Sequence, residues 1–181
     1  MVILGIDPGT TIMGYGVICI NRNQPALLLL GSLDQRKIKD HYEKIARIFD
    51  RTLQLIQEYK PTAMAIEAPF FGKNVQSMIK LGRAQGAAIS AALFQSVPVF
   101  EYAPRKIKQS ITGRGDASKE QIANFLQYIL KVNMKQETLD ATDGLAAAMC
   151  HFYQINNPVK KGSSGNWEDF INKNPGRVSG Q

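Results

Sequence analysis

Cysteine is scarce: the chain has two in 181 residues, Cys19 and Cys150, both inside apolar runs and without metal-ligand spacing. A disulfide framework and a thiolate metal centre are therefore excluded, and the two read as small core residues in a reducing compartment. Long uncharged apolar runs are missing as well. Nothing approaches the roughly 20 residues that a membrane helix needs, so no membrane association is expected. The chain enters "MVILGIDPG" with no basic leader and no cleavage pattern, which predicts no signal peptide and a cytoplasmic location. Acidic residues are the minority, 15 against 22 Lys and Arg, for a net charge of +7. Such an excess on its own favours a polyanionic partner such as nucleic acid or an anionic membrane surface, a generic basic surface being the blander account.

An apolar fraction of 44% and a charged fraction of 20% suit one globular domain with a proper core. "VILGID", "GYGVICI" and "ALLLLGSLD" read as three strands whose short connections predict an antiparallel meander. Residues 39–59 place Ile45, Ile48, Phe49, Leu53 and Ile56 at helical spacing. "TAMAIEAP" is a short strand, "VQSMIKLGRAQGAAISAALF" a helix and "VPVFEY" a further strand. "SKEQIANFLQYILK" is a helix capped by Ser118, and "TLDATDGLAAAMC" starts a last helix ending near Gln154. Meander first and alternation after it predict an α/β fold, a mixed sheet flanked by helices. The domain is expected over 1–156. From residue 157 the Asn-, Gly-, Ser- and Lys-rich "NNPVKKGSSGNWEDFINKNPGRVSGQ" reads as a flexible polar tail.

Four carboxylates fall in places that need explaining. Asp7 and Glu67 each end an apolar strand, while Asp140 and Asp143 lie one turn apart at the base of the last helix. Each has a structural alternative. Asp140 and Asp143 suit a helix N-terminus, and Asp7 before Pro-Gly suits a turn. Glu67 resists such an account. Strand ends are where sites assemble in α/β sheets, and acids gathered there repel unless cations join them. An all-carboxylate set suits the hard ions Mg²⁺ and Mn²⁺. His151 lies eight residues beyond Asp143, roughly 12 Å along a helix, too far to share that site. It reads as a histidine favouring the helix C-terminus, and His41 as a surface residue. Gly82, Gly86 and Ser90 make one helix face small, for close packing on the sheet or for pairing across a twofold axis.

"GIDPGTT.MGYGV", "AIEAPFFGKNVQSMIKLGRAQG", "VPVFEYAPRKIKQSITGRGDASKEQI" and "LDATDGLAAA" together resemble the successive motifs of the RuvC-type Holliday-junction resolvases, in order and spacing, over residues 2 to about 154. The resemblance implies an RNase H-like fold with a five-stranded sheet, a homodimer, and a Mg²⁺-dependent endonuclease that nicks two strands symmetrically across a four-way DNA junction in recombination and repair. It implies that Asp7, Glu67, Asp140 and Asp143 are the catalytic, metal-binding acids. Two ions about 4 Å apart, with Mn²⁺ able to substitute, would activate water and leave 5′-phosphate and 3′-hydroxyl ends. A junction-migrating helicase complex is implied as a partner.

Binding residues divide the same way. Arg105, Lys108, Arg114 and Lys119 lie in a segment with little acid other than Asp116, a phosphate-contact surface or, more plainly, solvated basic residues. By the resemblance Lys108 and Lys119 sit near the scissile strand and Phe70 stacks on a base opened at the crossover. Lys73 and Asn74 belong to the same DNA-facing loop, and Phe71 either joins them or packs inward. Where relatives often carry Gln after the glutamate, this chain has Ala68-Pro69. "GIDPGTT" also resembles the first phosphate loop of actin-like ATPases and sugar kinases, but the chain is too short for their two domains, and GxxxxGK[ST] is absent. A non-catalytic junction binder and an RNA-directed nuclease complete the alternatives.

Overall fold

The computed structural model describes residues 1–69, 74–133 and 139–156, without the side chains of Leu139 and Asp140. Phe70, Phe71, Lys73 and the expected tail at 157–181 lie outside the described residues. The elements run β1 (Val2–Asp7), β2 (Ile12–Asn21), β3 (Gln24–Asp34), α1 (His41–Tyr59), β4 (Ala63–Glu67), α2 (Val75–Phe94), β5 (Val99–Tyr102), α3 (Pro104–Thr112), α4 (Lys119–Leu130) and α5 (Leu139–Asn156).

One sheet has the order β3-β2-β1-β4-β5. The β1–β2 and β2–β3 pairs are antiparallel, the predicted meander, while β4 runs parallel to both β1 and β5. This mixed five-stranded sheet between two helical layers is the RNase H-like fold. The period of two along each strand sorts residues between the layers. Ile3, Ala65 and Ile18 join one core with Leu145, Ala148 and Met149 of α5 and with Ile107 and Leu126 of α3 and α4. Their neighbours Leu4, Ile6, Met64, Ile66 and Val17 join the opposite core with Ile48 and Leu55 of α1 and Ala84 and Ala88 of α2.

Helix ends follow local chemistry. Asp40 caps α1 by accepting from the Glu43 N–H at 2.7 Å, and Lys60 closes that helix in the left-handed conformation. Ser118 and Gln121 form a reciprocal capping box on α4, which fulfils the expectation for Ser118. One helix escaped sequence reading. α3 occupies the basic stretch after Pro104, which sits at the helix start where its missing N–H costs nothing. Only Ile107 and Ile111 are buried in it, too few apolar positions to show a period.

For the small face of α2, the first of the two expected uses is overturned. Cβ atoms built on Gly82 and Gly86 meet nothing within 4 Å, so this face does not pack on the sheet. The packing face is offset from it and carries Ala84, Ala87, Ala88, Ala91 and Ala92. Among the described residues, no helix is long and apolar enough to cross a membrane.

Candidate active site

Strand parity puts the first two acids on one face. Asp7 continues the Ile3–Gly5 series and Glu67 the Ala65 series, both facing α5. Parallel registration pairs Ile6 with Ile66, so the two carboxylates leave adjacent strand ends side by side. α5 supplies the third. It settles so close to the sheet that a Cβ on Gly5 would lie 2.1 Å from the Gly144 carbonyl oxygen, and one on Gly16 would lie 2.6 Å from the Leu145 Cα. A Cβ on Gly144 would in turn meet the Gly14 carbonyl oxygen at 2.6 Å. Backbone-to-backbone seating of this kind holds Asp143, next to Gly144, over the ends of β1 and β4. That answers why a core-forming helix begins with acids: its buried stripe fixes their position.

Asp7, Glu67 and Asp143 line one cavity of about 380 Å³, together with Lys108, Lys119, Pro104, Ile107, Ile122 and Ala146. Lys119 Nζ donates to Asp143 Oδ2 at 2.5 Å. Lys108 Nζ donates to the Ala117 carbonyl at 2.9 Å, which ties α3 to the turn before α4. Burial pushes the Glu67 carboxyl up to about 8, with the charges of Asp7 and Asp143 adding to the rise and Lys119 and Lys108 opposing it. Among the described residues, no three His, Cys, Asp or Glu side chains already stand as a closed metal-ligand set. The acids share a cavity wall, and a lysine ammonium occupies the cation's place beside Asp143. The donors nevertheless fit a hard divalent ion. They are all carboxylate oxygen, and their mutual repulsion calls for more positive charge than two lysines bring.

The other expected site residues are distributed unevenly. Asp140 falls inside the first turn of α5, so it is not that helix's N-cap, and its side chain lies outside the description. Asn74 serves α2: its side chain accepts from the Ser77 N–H at 3.1 Å and caps the helix. Arg114 is bidentate with Asp116 at 3.1 Å and well exposed, and it does not line the cavity. Arg105 lies over Gly115, where a Cβ would meet its side chain at 2.5 Å.

Both histidines depart from expectation. His151 is 3% exposed, stacked on Phe100 with ring centroids 4.3 Å apart and bonded through Nδ1 to the Tyr102 hydroxyl at 2.7 Å. Burial lowers its pKa and raises that of Tyr102 to about 12, which leaves a neutral pair with no dipole-compensating charge. The sheet edge at β5 reaches far enough over α5 to cover it. His41 is half-buried, and its Nε2 is fully enclosed without a hydrogen-bond partner.

Acids from two central strand ends and a tightly seated helix, on an RNase H-like sheet, define a phosphodiester nuclease of that fold class. The family model described as crossover junction endodeoxyribonuclease RuvC matches residues 3–151. The chain is 57% identical over 180 residues to RuvC of Bacteroides fragilis, covering 98% of this chain and 95% of that one. It is 54% identical over 182 residues to RuvC of Porphyromonas gingivalis, at 98% and 96% coverage. The structure of Thermus thermophilus RuvC in complex with Holliday junction substrate superposes with a TM-score of 0.80 at 32% identity, covering 87% and 96% of the respective chains. This chain belongs to the RuvC family of crossover junction endodeoxyribonucleases.

Proposed function

We propose that the protein is a structure-selective endonuclease that resolves four-way DNA junctions by paired symmetric nicks during homologous recombination and repair. The observation that carries this reading is the meeting of Asp7, Glu67 and Asp143 with Lys108 and Lys119 around one cavity. Asp140, in the first turn of α5, is the fourth acid of the proposed set. These carboxylates would hold Mg²⁺, two ions per site with Mn²⁺ as a substitute. When bound, such ions supply an activated water and charge stabilisation at the leaving 3′-oxygen.

The chain's own groups do the rest. Glu67 keeps its proton while the site carries only the two lysines, and gives it up as more positive charge arrives. Lys119 shields Asp143 until a phosphate or cation claims either partner, and Lys108 is held ready by the Ala117 carbonyl. Products carry 5′-phosphate and 3′-hydroxyl ends. Arg105, Arg114, Lys73 and Asn74 extend the DNA contact beyond the cleft, and Phe70 stacks on an opened base. Two sites on one junction require a homodimer, for which the exposed small face of α2 is available. The protein works in the cytoplasm beside a branch-migration helicase complex.

The test is cleavage of a synthetic four-way junction with products mapped to the nucleotide. Asp7→Asn should abolish divalent-ion-dependent cutting while junction-selective binding persists. Undiminished cutting by that variant would remove the proposed role of the acids.

A further inference from the structure

A second cavity, of about 480 Å³, opens on the far side of the loop that follows Asp7. Its wall includes Gly9, Thr10 and Thr11 of the β1–β2 loop, His41 and Lys44 of α1, Lys39 before it, and Ser77 and Lys80 of α2. Three lysines and no acid face it. Among the described residues none of these lysines forms an ion pair.

One polar group on this wall lacks a partner, and so does a second, buried behind the loop and not lining the cavity. His41 Nε2, on the wall, makes no hydrogen bond. Gln35 is 0% exposed, both its side-chain polar atoms are unpaired, and its backbone N–H bonds the Thr11 carbonyl behind the same loop at 2.9 Å. Unpaired buried polar groups are rare enough to need an explanation. A concave wall with three lysines, no acid, several hydroxyls and an unpaired imidazole nitrogen is the chemistry of a phosphate receptor. A small hollow lined by Asp7, Pro8, Glu67 and Leu81 lies between them, sharing Asp7 and Glu67 with the acidic cleft and Leu81 with the basic cavity.

We propose that this cavity is a phosphate-binding subsite that grips the DNA backbone at a phosphate other than the one being cut. The proposal rests on the nuclease reading for the identity of the polyanion, and on the cavity alone for its phosphate chemistry. Gripped on both sides of the Asp7 loop, a strand is aligned across the acids before any nick.

Two measurements on the full chain test it. Junction binding is titrated by fluorescence anisotropy over a salt series in EDTA, for the parent and for Lys39→Gln/Lys44→Gln/Lys80→Gln. The variant should bind about tenfold more weakly, with a log–log salt slope shallower by about one. A charge-matched variant, Arg22→Gln/Lys60→Gln/Lys131→Gln, none of whose positions line the cavity, should lose clearly less. Equal losses in the two variants, or none in the first, overturn the proposal.

The second measurement follows the His41 imidazole nitrogens by NMR on adding junction DNA or, separately, inorganic phosphate. A saturable shift with DNA alone assigns the subsite to backbone phosphate. A shift with both shows that it also takes the free anion. No shift with either overturns it, whether or not the parent cuts junctions. A parent that shows the phosphate shift but cuts no junction would instead defeat the nuclease reading.

Discussion

On one side of the sheet α5 lies so near that Gly5, Gly16 and Gly144 leave no room for a methyl group, whereas on the other α2 carries Gly82 and Gly86 with open space at their Cβ positions. The same residue type thus has opposite meanings in the two layers. Beneath α5, glycine removes bulk so that backbones touch and Asp143 is fixed over β1 and β4. On α2, glycine thins an outward face that the fold itself does not use. The contrast separates what positions the proposed catalytic acids from a helix face that the protomer leaves open.

The largest expected effect comes from the acids that the tight layer positions. Glu67→Gln should lower single-turnover junction cleavage by about a thousandfold or more, the several kcal/mol expected of a lost metal ligand. A variant cutting within tenfold of the parent would show that Glu67 is only a strand-end residue.

The next effect is pH-dependent. Because Glu67 is raised from 4.5 to about 8, the folded state holds a proton over that window which the unfolded chain has released. Its contribution to stability is full below about 4.5 and is lost as pH rises through about 8. In EDTA the Tm should therefore fall across this range, and Glu67→Gln should flatten the trend. A Tm that rises toward pH 8 in the parent would contradict the burial of the Glu67 carboxyl and the crowding of Asp7 and Asp143 around it.

The glycines themselves give the direct comparison. Gly144→Ala should destabilise by about 1–3 kcal/mol, as overpacking does where backbone cannot yield, and should depress cleavage further by shifting Asp143. Gly82→Ala should stabilise the protomer by about 0.5–1 kcal/mol, because it removes a flexible residue from a helix without a clash. Denaturant titration measures both. The same change in both variants, or a reversal of the two signs, would leave the contrast between the layers without basis. Weaker self-association in Gly82→Ala, seen by sedimentation, would sharpen it by placing a second protomer on that face.

Much of this was legible in the sequence, for reasons that can be located. The strands and α1, α4 and α5 announce themselves by period and caps, and the acids by standing at strand ends and at a helix base where apolar pattern gives them no partner. α3 was hidden because nine residues with two buried isoleucines carry too little pattern, and its charge drew attention to binding instead. The sequence alone does not choose between the two uses of α2's small face, because small residues recur at i+4 on both its sides: the glycines face outward while the offset alanines face the core, which removes sheet packing and leaves the twofold pairing open. His151 was misread because cover from Phe100 and Tyr102, 49 or more residues away in sequence, is invisible to local reading. The basic cavity was missed for a related reason. It draws on three separate segments, and no motif links Lys39, Lys44 and Lys80.

The glycine seating of α5 carries one more consequence. On the side of the groove formed by strand tips and a helix pressed flat on the sheet, the acids have little freedom to shift toward a substrate. Nucleic acid must then do the yielding, and the elastic work of bending or opening a strand falls on the DNA. A crossover, where strands already part and turn, meets that demand more easily than an unbroken duplex, so stiffness in the enzyme becomes a means of choosing between them.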